Sequence, residues 1–452
     1  MIDPRSSAAL SRRRFVQAAA QGATGAALAP LPWLLSAKAA TAGEANAFVR
    51  QSQPLPTAPV VLPTDALPPP SGRPKRIAAL TTAYFRYSHA DDIITKFIEG
   101  YAVVGRTHVP HCKVVSLYIE QSPSTDIGRG MAARYKIPMF DQPSAALTLG
   151  GDELAVDGVL LIGEHGDYSY NEKGQHLYPR RRLFEEITKV FRKSGRSVPV
   201  FNDKHLSYNW ADAEWMHRQS RELSFPLMAG SSVPVTWRRP PLAFLPGVPL
   251  ESALVAGTGS FESYGFHCLE LLQTFVEKRP NGETGVQAVQ ALEGEAAYEA
   301  TRRDRWPLHL LSKAVGTTPL AAQRPFDLER LRKSVFFRIE YRDGFQAAVC
   351  LAGGIVDYCF AASVRGRAEP VATCPYLPKP QRDHFSFLCN HIEAMFRTGK
   401  PSYPVERTLL VTGILDALHD SRAADGKRIE TPHLRELKYT PAKELLFGSG
   451  SP

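Results

Sequence analysis

Between Arg76 and about Gly230, short apolar runs alternate with longer stretches whose apolar residues recur every three or four positions. The runs RIAAL (76–80), KVVSLYI (113–119), GVLLIG (158–163), VPVFND (198–203) and FPLMAG (225–230) read as strands. The stretches HADDIITKFIEGY, DIGRGMAARY, RRRLFEEITKVFRKSG and WADAEWMHRQSREL read as the helices between them. Such alternation predicts a parallel sheet with crossover helices on both faces, an α/β Rossmann-like domain. Beyond Gly230 a long helix, ESYGFHCLELLQTFVEK, gives way to period-two runs such as SVFFRIEYRDGFQAAVCLAGG. Period two predicts an α+β domain with a mainly antiparallel open sheet. The closing helical stretches, from HFSFLCNHIEAMFRTG onward, are expected to return and brace the first domain.

The first forty residues do not belong to this pattern. Ser11-Arg12-Arg13-Arg14-Phe15 precedes a mild Ala/Gly/Leu stretch and then Ala37-Lys38-Ala39, a small-x-small cleavage site. This is the form of a twin-arginine export signal, and its apolar run is too broken by Gln21, Pro30 and Pro32 for stable membrane insertion. The expected organisation is a signal at 1–39, a Pro/Ala-rich linker or arm at 40–75, the Rossmann-like domain at 76–232, the α+β domain at 233–385 and closing helices with a tail at 386–452. A periplasmic or otherwise exported protein is expected, delivered by the twin-arginine machinery. That route carries folded proteins, often with a cofactor already inserted.

Composition narrows the functional classes. The chain has 452 residues, of which 44% are apolar, enough for two cores. Its formal charge of +9 falls to +5 without the signal, which holds Arg5, Arg12, Arg13, Arg14 and Lys38 against Asp3. With no basic run interleaved with aromatics, nucleic acid is not an expected partner. Six scattered cysteines show no metal-binding spacing, although Cys350, Cys359 and Cys374 could pair after export.

The first strand–turn–helix raises a chemical question. A dinucleotide-binding turn uses glycines so that its backbone can approach the pyrophosphate at the helix N-terminus. Here no glycine falls between Arg76 and Gly100. Thr81, Thr82 and Ser88 are the candidates to bind phosphate in its place, with Ser88 or His89 as N-cap. Glu120, at the end of the second strand, is the candidate to hold ribose hydroxyls.

Around VPVFNDKHLSYNWADAEWMHRQSRELSFPLMAGSS the chain resembles the glucose-fructose oxidoreductase / inositol dehydrogenase / MocA-like (Gfo/Idh/MocA) family. KVVSLYIEQSP with ARYKIPMFD, and the closing MFRTGKPSYPVERTLLVTGILDALHDSRAADGKRIE, extend the resemblance over about 76–430. It implies NAD or NADP, tightly bound in an exported protein, a small carbohydrate-like substrate and a homo-oligomer.

The resemblance also implies catalytic residues. Lys204, in NDKHL, matches the family's lysine, with Asp203 in place of glutamate and His205 in place of proline. An exposed loop lysine is the alternative. His267 matches its active-site histidine, although Ser263 stands where the family has an aspartate one turn earlier. Tyr264 or Glu262 could substitute for that aspartate, or His267 could be a buried imidazole satisfied by Ser263. Where the family has a short turn, this chain has the polar insertion GEHGDYSYNEKGQHLYPRRRLFEE. Emerging at the carboxyl end of a strand, it offers Glu164 and His165 toward the cofactor and Asp167 and Tyr168 toward substrate. A metal held by Glu164, His165 and Asp167 is possible but not expected, because the spacing is not diagnostic. Trp237 and Arg238 are candidate sugar contacts, or a hinge. The function implied is oxidation or reduction of a sugar, polyol or related carbohydrate. A non-redox lyase, hydrolase or epimerase, or a silent binding protein, stays open.

Overall fold

The computed structural model describes residues 49–50, 62–319, 326–377 and 382–442. The export signal and most of the expected linker lie outside the described residues, and no described helix is long and apolar enough to cross a membrane.

Five strands form a wholly parallel sheet: β1 (Lys75–Thr81), β2 (Cys112–Ile119), β3 (Gly158–Ile162), β4 (Val200–Asp203) and β5 (Leu227–Gly230). Their order across the sheet is β2-β1-β3-β4-β5. Every residue of β3, β4 and β5 is buried, as expected of strands covered on both faces. The helical segment 89–99 (α1), with a π-type turn at Asp91–Thr95, follows β1. Helices α2 (Gly128–Tyr135) and α3 (Pro143–Thr148) follow β2, α4 (Arg180–Lys193) follows β3 and α5 (Trp210–Glu222) follows β4.

The second sheet has eight strands. In chain order they are β6 (Arg238–Arg239), β7 (Leu250–Gly257), β8 (Val286–Glu293), β9 (Val335–Tyr341), β10 (Gln346–Leu351), β11 (Cys359–Val364), β12 (Val371–Pro375) and β13 (Ile429–Glu430). They lie in the order β13-β8-β9-β10-β7-β11-β12-β6, and β7 with β10 is the parallel pair in an otherwise antiparallel set. Helix α6 (Ser263–Val276) packs on one face of this sheet, and α7 (Gly294–Arg303) and α8 (Trp306–Val315) cover the other. The expected fold class is borne out on both counts.

Two closing helices complete the molecule. Helix α9 (His384–Thr398) contributes Phe385, Leu388, Ile392 and Met395 to the core beside β1 and β2. Helix α10 (Val405–Ala423) touches α5, α6, β5 and β8, so one helix is packed against both sheets. All six cysteines are buried with free thiols.

Candidate active site

The carboxyl ends of β1, β3, β4 and β5 converge, which is where open parallel sheets place their ligands. Lys204 follows β4 with φ at 64°, a left-handed conformation costly for a long side chain and held by its backbone bridge to Gly230. It is no exposed loop lysine. The residue is 3% exposed, and its Nζ lies 3.0 Å from Glu164 Oε1 while donating to the Ser263 carbonyl at 3.3 Å. Arg180 grips the other oxygen of Glu164 at 2.5 Å. Burial alone would raise the Glu164 pKa, but Lys204 and then Arg180 overcome it and hold this carboxyl well below the usual range. Lys204 and Arg180 thus share one carboxylate at the carboxyl edge of the sheet.

His267 sits one turn into α6, beside the carbonyl that receives Lys204. Its partner is Ser231, after β5, at 2.6 Å from Nδ1, and not Ser263. Ser231 Oγ also accepts the Val233 N–H at 3.0 Å, and its one hydroxyl proton is free to point at His267 Nδ1. With Ser231 donating, the ring proton of His267 stands on Nε2. Burial first, then the charges of Lys204 and His89, keep its pKa well below the usual histidine value, so it is a neutral donor. Neither candidate substitute for the missing aspartate bonds to it. Tyr264 is 44% exposed, with its ring 6.5 Å from that of His267, and Glu262 accepts the His176 N–H and faces His205 at 3.3 Å.

A residue that sequence reasoning treated as no more than a helix cap completes the centre. His89 Nδ1 lies 2.7 Å from Asp203 Oδ2, and its ring stands 6.2 Å from that of His267 and 5.6 Å from that of His165. His165, with φ at 70°, presents a buried Nε2 without a hydrogen-bond partner among the described residues. The only sequence signals for His89 were its place at the end of the glycine-free turn and the acid before Lys204.

The remaining candidates disperse. Thr81 and Thr82 are fully buried, and their hydroxyls donate inward, Thr81 to the carbonyls of Ala83 and Ile162 and Thr82 to that of Glu164. Ser88, also fully buried, receives the N–H groups of Phe85 and Asp91, as an N-cap does, and not a ligand. Glu120 accepts from Tyr168 at 2.8 Å and Arg182 at 2.5 Å. Asp167 exchanges backbone hydrogen bonds with the Gln121 side chain, and beside it a cavity of about 390 Å³ is lined by Asp167, Tyr168, Ser169 and Leu177. That cavity belongs to the insertion, not to the Lys204 centre. Trp237 and Arg238 are corrected outright. Trp237, 4% exposed, stacks on Tyr376, and Arg238, 5% exposed, donates to the carbonyls of Pro234 and Leu242 over the Phe275 ring. An aromatic–arginine pair suggests sugar recognition in sequence, but the strand that carries it runs into the core. Among the described residues no cluster of His, Cys, Asp or Glu is placed to hold a metal ion.

The turn does not fit a pyrophosphate. Thr82 N–H donates to the Ile162 carbonyl, Phe85 and Asp91 N–H to Ser88, and Tyr87 N–H to the Asp91 carboxylate, so these amides of the turn are already used. Asp91 and Asp92 add their own carboxylates to the first turn of α1, where a dianion would have to sit. Any nucleotide on this scaffold must be held by other groups.

No family model matches the chain, and no curated protein matches it. Among solved structures, GenD2 from gentamicin A biosynthesis, in complex with NAD, superposes with a TM-score of 0.50 at 14% identity, over 81% of this chain and 99% of that one. The fold is the one GenD2 has. Myo-inositol 2-dehydrogenase from Lactobacillus plantarum gives 0.49 at 9% identity over 79% and 99%, and a Gfo/Idh/MocA family oxidoreductase from Vibrio cholerae gives 0.46 at 13% over 77% and 98%. At such identities the likeness is one of fold, and the two-domain fold expected from the resemblance is borne out.

Proposed function

We propose that this protein is an oxidoreductase of the Gfo/Idh/MocA type, acting with NAD or NADP on a sugar, polyol or related carbohydrate. The observation that carries the proposal is the convergence of Lys204 and His267 at the carboxyl edge of the parallel sheet, on the fold that GenD2 uses with NAD. A substrate hydroxyl placed between them meets two donors. Lys204, steadied by Glu164, holds the oxygen as negative charge builds on it, and the Nε2–H of His267 adds a second hydrogen bond. The burial of both groups strengthens these bonds by excluding water. Export through the twin-arginine route and assembly as a homo-oligomer belong to the same proposal, supported by Arg12-Arg13 and by the resemblance.

The test is turnover on a panel of hexoses, inositols and their aldonate and keto forms, read as NAD+ or NADP+ reduction for the alcohols and as NADH or NADPH oxidation for the keto forms. Lys204→Ala and His267→Ala are each expected to lower turnover by about 10²-fold or more. Unchanged turnover in both variants contradicts the assignment. A second reading, redox-neutral proton transfer on the same substrate class by a lyase, hydrolase or epimerase, is favoured by the closed first turn. It requires the same two donors but no hydride carrier.

A further inference from the structure

We propose that His89 is the proton acceptor of this centre, and that the glycine-free turn after β1 exists to deliver it. The centre is read as holding donors toward a substrate oxygen: Lys204 is an ammonium donor, and His267 keeps its proton on Nε2 when Ser231 donates to Nδ1. Removing a hydroxyl proton needs a lone pair, and His89 has it. Its Nδ1–H donates to Asp203 Oδ2 at 2.7 Å, which leaves Nε2 as the acceptor, with no hydrogen bond to any described residue. A carboxylate on Nδ1 fixes the tautomer and stabilises the imidazolium that forms on proton uptake.

The other candidate bases of the centre are engaged or lowered. Glu164 is held ionised between Lys204 and Arg180, well below the usual carboxylate range, and His165 is brought down to about 4 by burial and then by His89. His205 is spanned by Arg180 and Glu262. Asp203 and Lys204 are consecutive, so the residue that orients the base and the residue that holds the oxygen are set by one strand end.

The turn supplies the rest. Tyr84, fully buried, anchors it through a 2.8 Å bond to Thr95, and Ser88 ties Phe85 and Asp91 together. Tyr87 takes the left-handed kink at φ 65°, with its N–H on Asp91 and its carbonyl on Arg382. A glycine-rich turn has no side chains to do this and would leave position 89 unanchored. Bulky residues where a nucleotide fold has glycines are thus the scaffold of the base.

In the transfer, the substrate O–H bond breaks and its proton passes to His89 Nε2. The resulting alkoxide oxygen is held by Lys204 Nζ and His267 Nε2–H. The proposal rests on the reading above for its substrate class only, since oxidation and redox-neutral chemistry both begin with this step.

The groups around His89 are Asp92 on its own helix, Asp203 at the end of β4 with Lys204 next to it, Glu164 and His165 after β3, His267 on α6, Arg382 just before α9 and His384 at its start. Asp92 is raised by burial to about 7, so it titrates near neutral pH and needs its own control.

Histidine tautomers in ¹⁵N-histidine-labelled full-length protein test the proposal without a known substrate. The expected result is Nδ1–H with bare Nε2 for His89, the opposite for His267, and preferential carbethoxylation of His89 Nε2 by diethyl pyrocarbonate at neutral pH. Asp203→Asn, which keeps the volume, should abolish the His89 tautomer preference. On a panel compound that turns over, His89→Gln is expected to lower kcat by about 10²- to 10⁴-fold with KM little changed, and to remove the acid limb of the pH profile that Asp92→Asn retains. A proton on His89 Nε2, an unreactive His89, or unchanged kcat in His89→Gln overturns the proposal. If no panel compound turns over, the substrate reading fails while the tautomer and labelling results still decide on His89.

Discussion

His165 shows how a single side chain ties the centre to the stability of the molecule. Burial, then the neighbouring His89, brings its pKa from 6.5 to about 4. Between those values the unfolded chain binds a proton that the folded one does not, so stability falls as pH drops from about 6.5 toward 4. Taken at full size this shift is on the order of 3 kcal/mol. Urea denaturation of His165→Gln against the parent is expected to show the parent losing stability faster over that window, with the two slopes alike above pH 7; parallel slopes throughout contradict it. The same scale shows what single residues disclose in a sequence. Lys204 and His267 were legible because their neighbours and spacing carry a family's signature. Arg180 was legible only as one polar group of the insertion, and not as fully buried: a Cβ on Gly163 would lie 2.6 Å from Arg180 Cγ, so the missing side chain there makes room for the guanidinium beside Glu164. His89 was invisible, since Asp203 lies 114 residues away. Trp237 and Arg238 misled because residue type signals chemistry, whereas burial is set by the strand they sit on.

At the level of elements, short apolar runs made the five parallel strands readable, since a strand covered on both faces is mostly apolar, as β3 is throughout. The turns between them were not readable, because their role lies in hydrogen bonds to distant segments. The insertion after β3 is an example: Gln121 and Glu120 at the end of β2 pin it through Asp167 and Tyr168. Helix α10 is the element on which both sheets depend. A Cβ on its Gly413 would stand 2.5 Å from Leu434 and 2.8 Å from the Trp210 ring, both closely packed. Gly413→Ala, although a better helix former, is therefore expected to destabilise the fold by about 1–3 kcal/mol. A lower midpoint in thermal unfolding checks this. An unchanged or higher midpoint shows that the helix is free to shift between the sheets.

For the whole molecule, the two sheets meet where β5, α6 and α10 touch, and the groups proposed as catalytic come from both sides of that contact: Lys204 and His89 from the parallel sheet, His267 from the helix on the mixed one. The centre exists only when both halves are folded and docked. That requirement accords with an export route that carries folded proteins. Replacing Arg12 and Arg13 by lysine is expected to keep the protein in the cytoplasm, as fractionation of the native host measures, and undiminished export contradicts the signal reading. On the proposed function, this fold works as a nicotinamide-linked oxidoreductase although its first turn lacks the pyrophosphate grip. The most direct measurement is to denature protein purified from its native host and quantify NAD and NADP released per chain. About one nucleotide per chain, or stoichiometric uptake on reconstitution, is the expected result. No nucleotide under either condition contradicts the claim and leaves redox-neutral proton transfer at His89, Lys204 and His267 as the chemistry of the site.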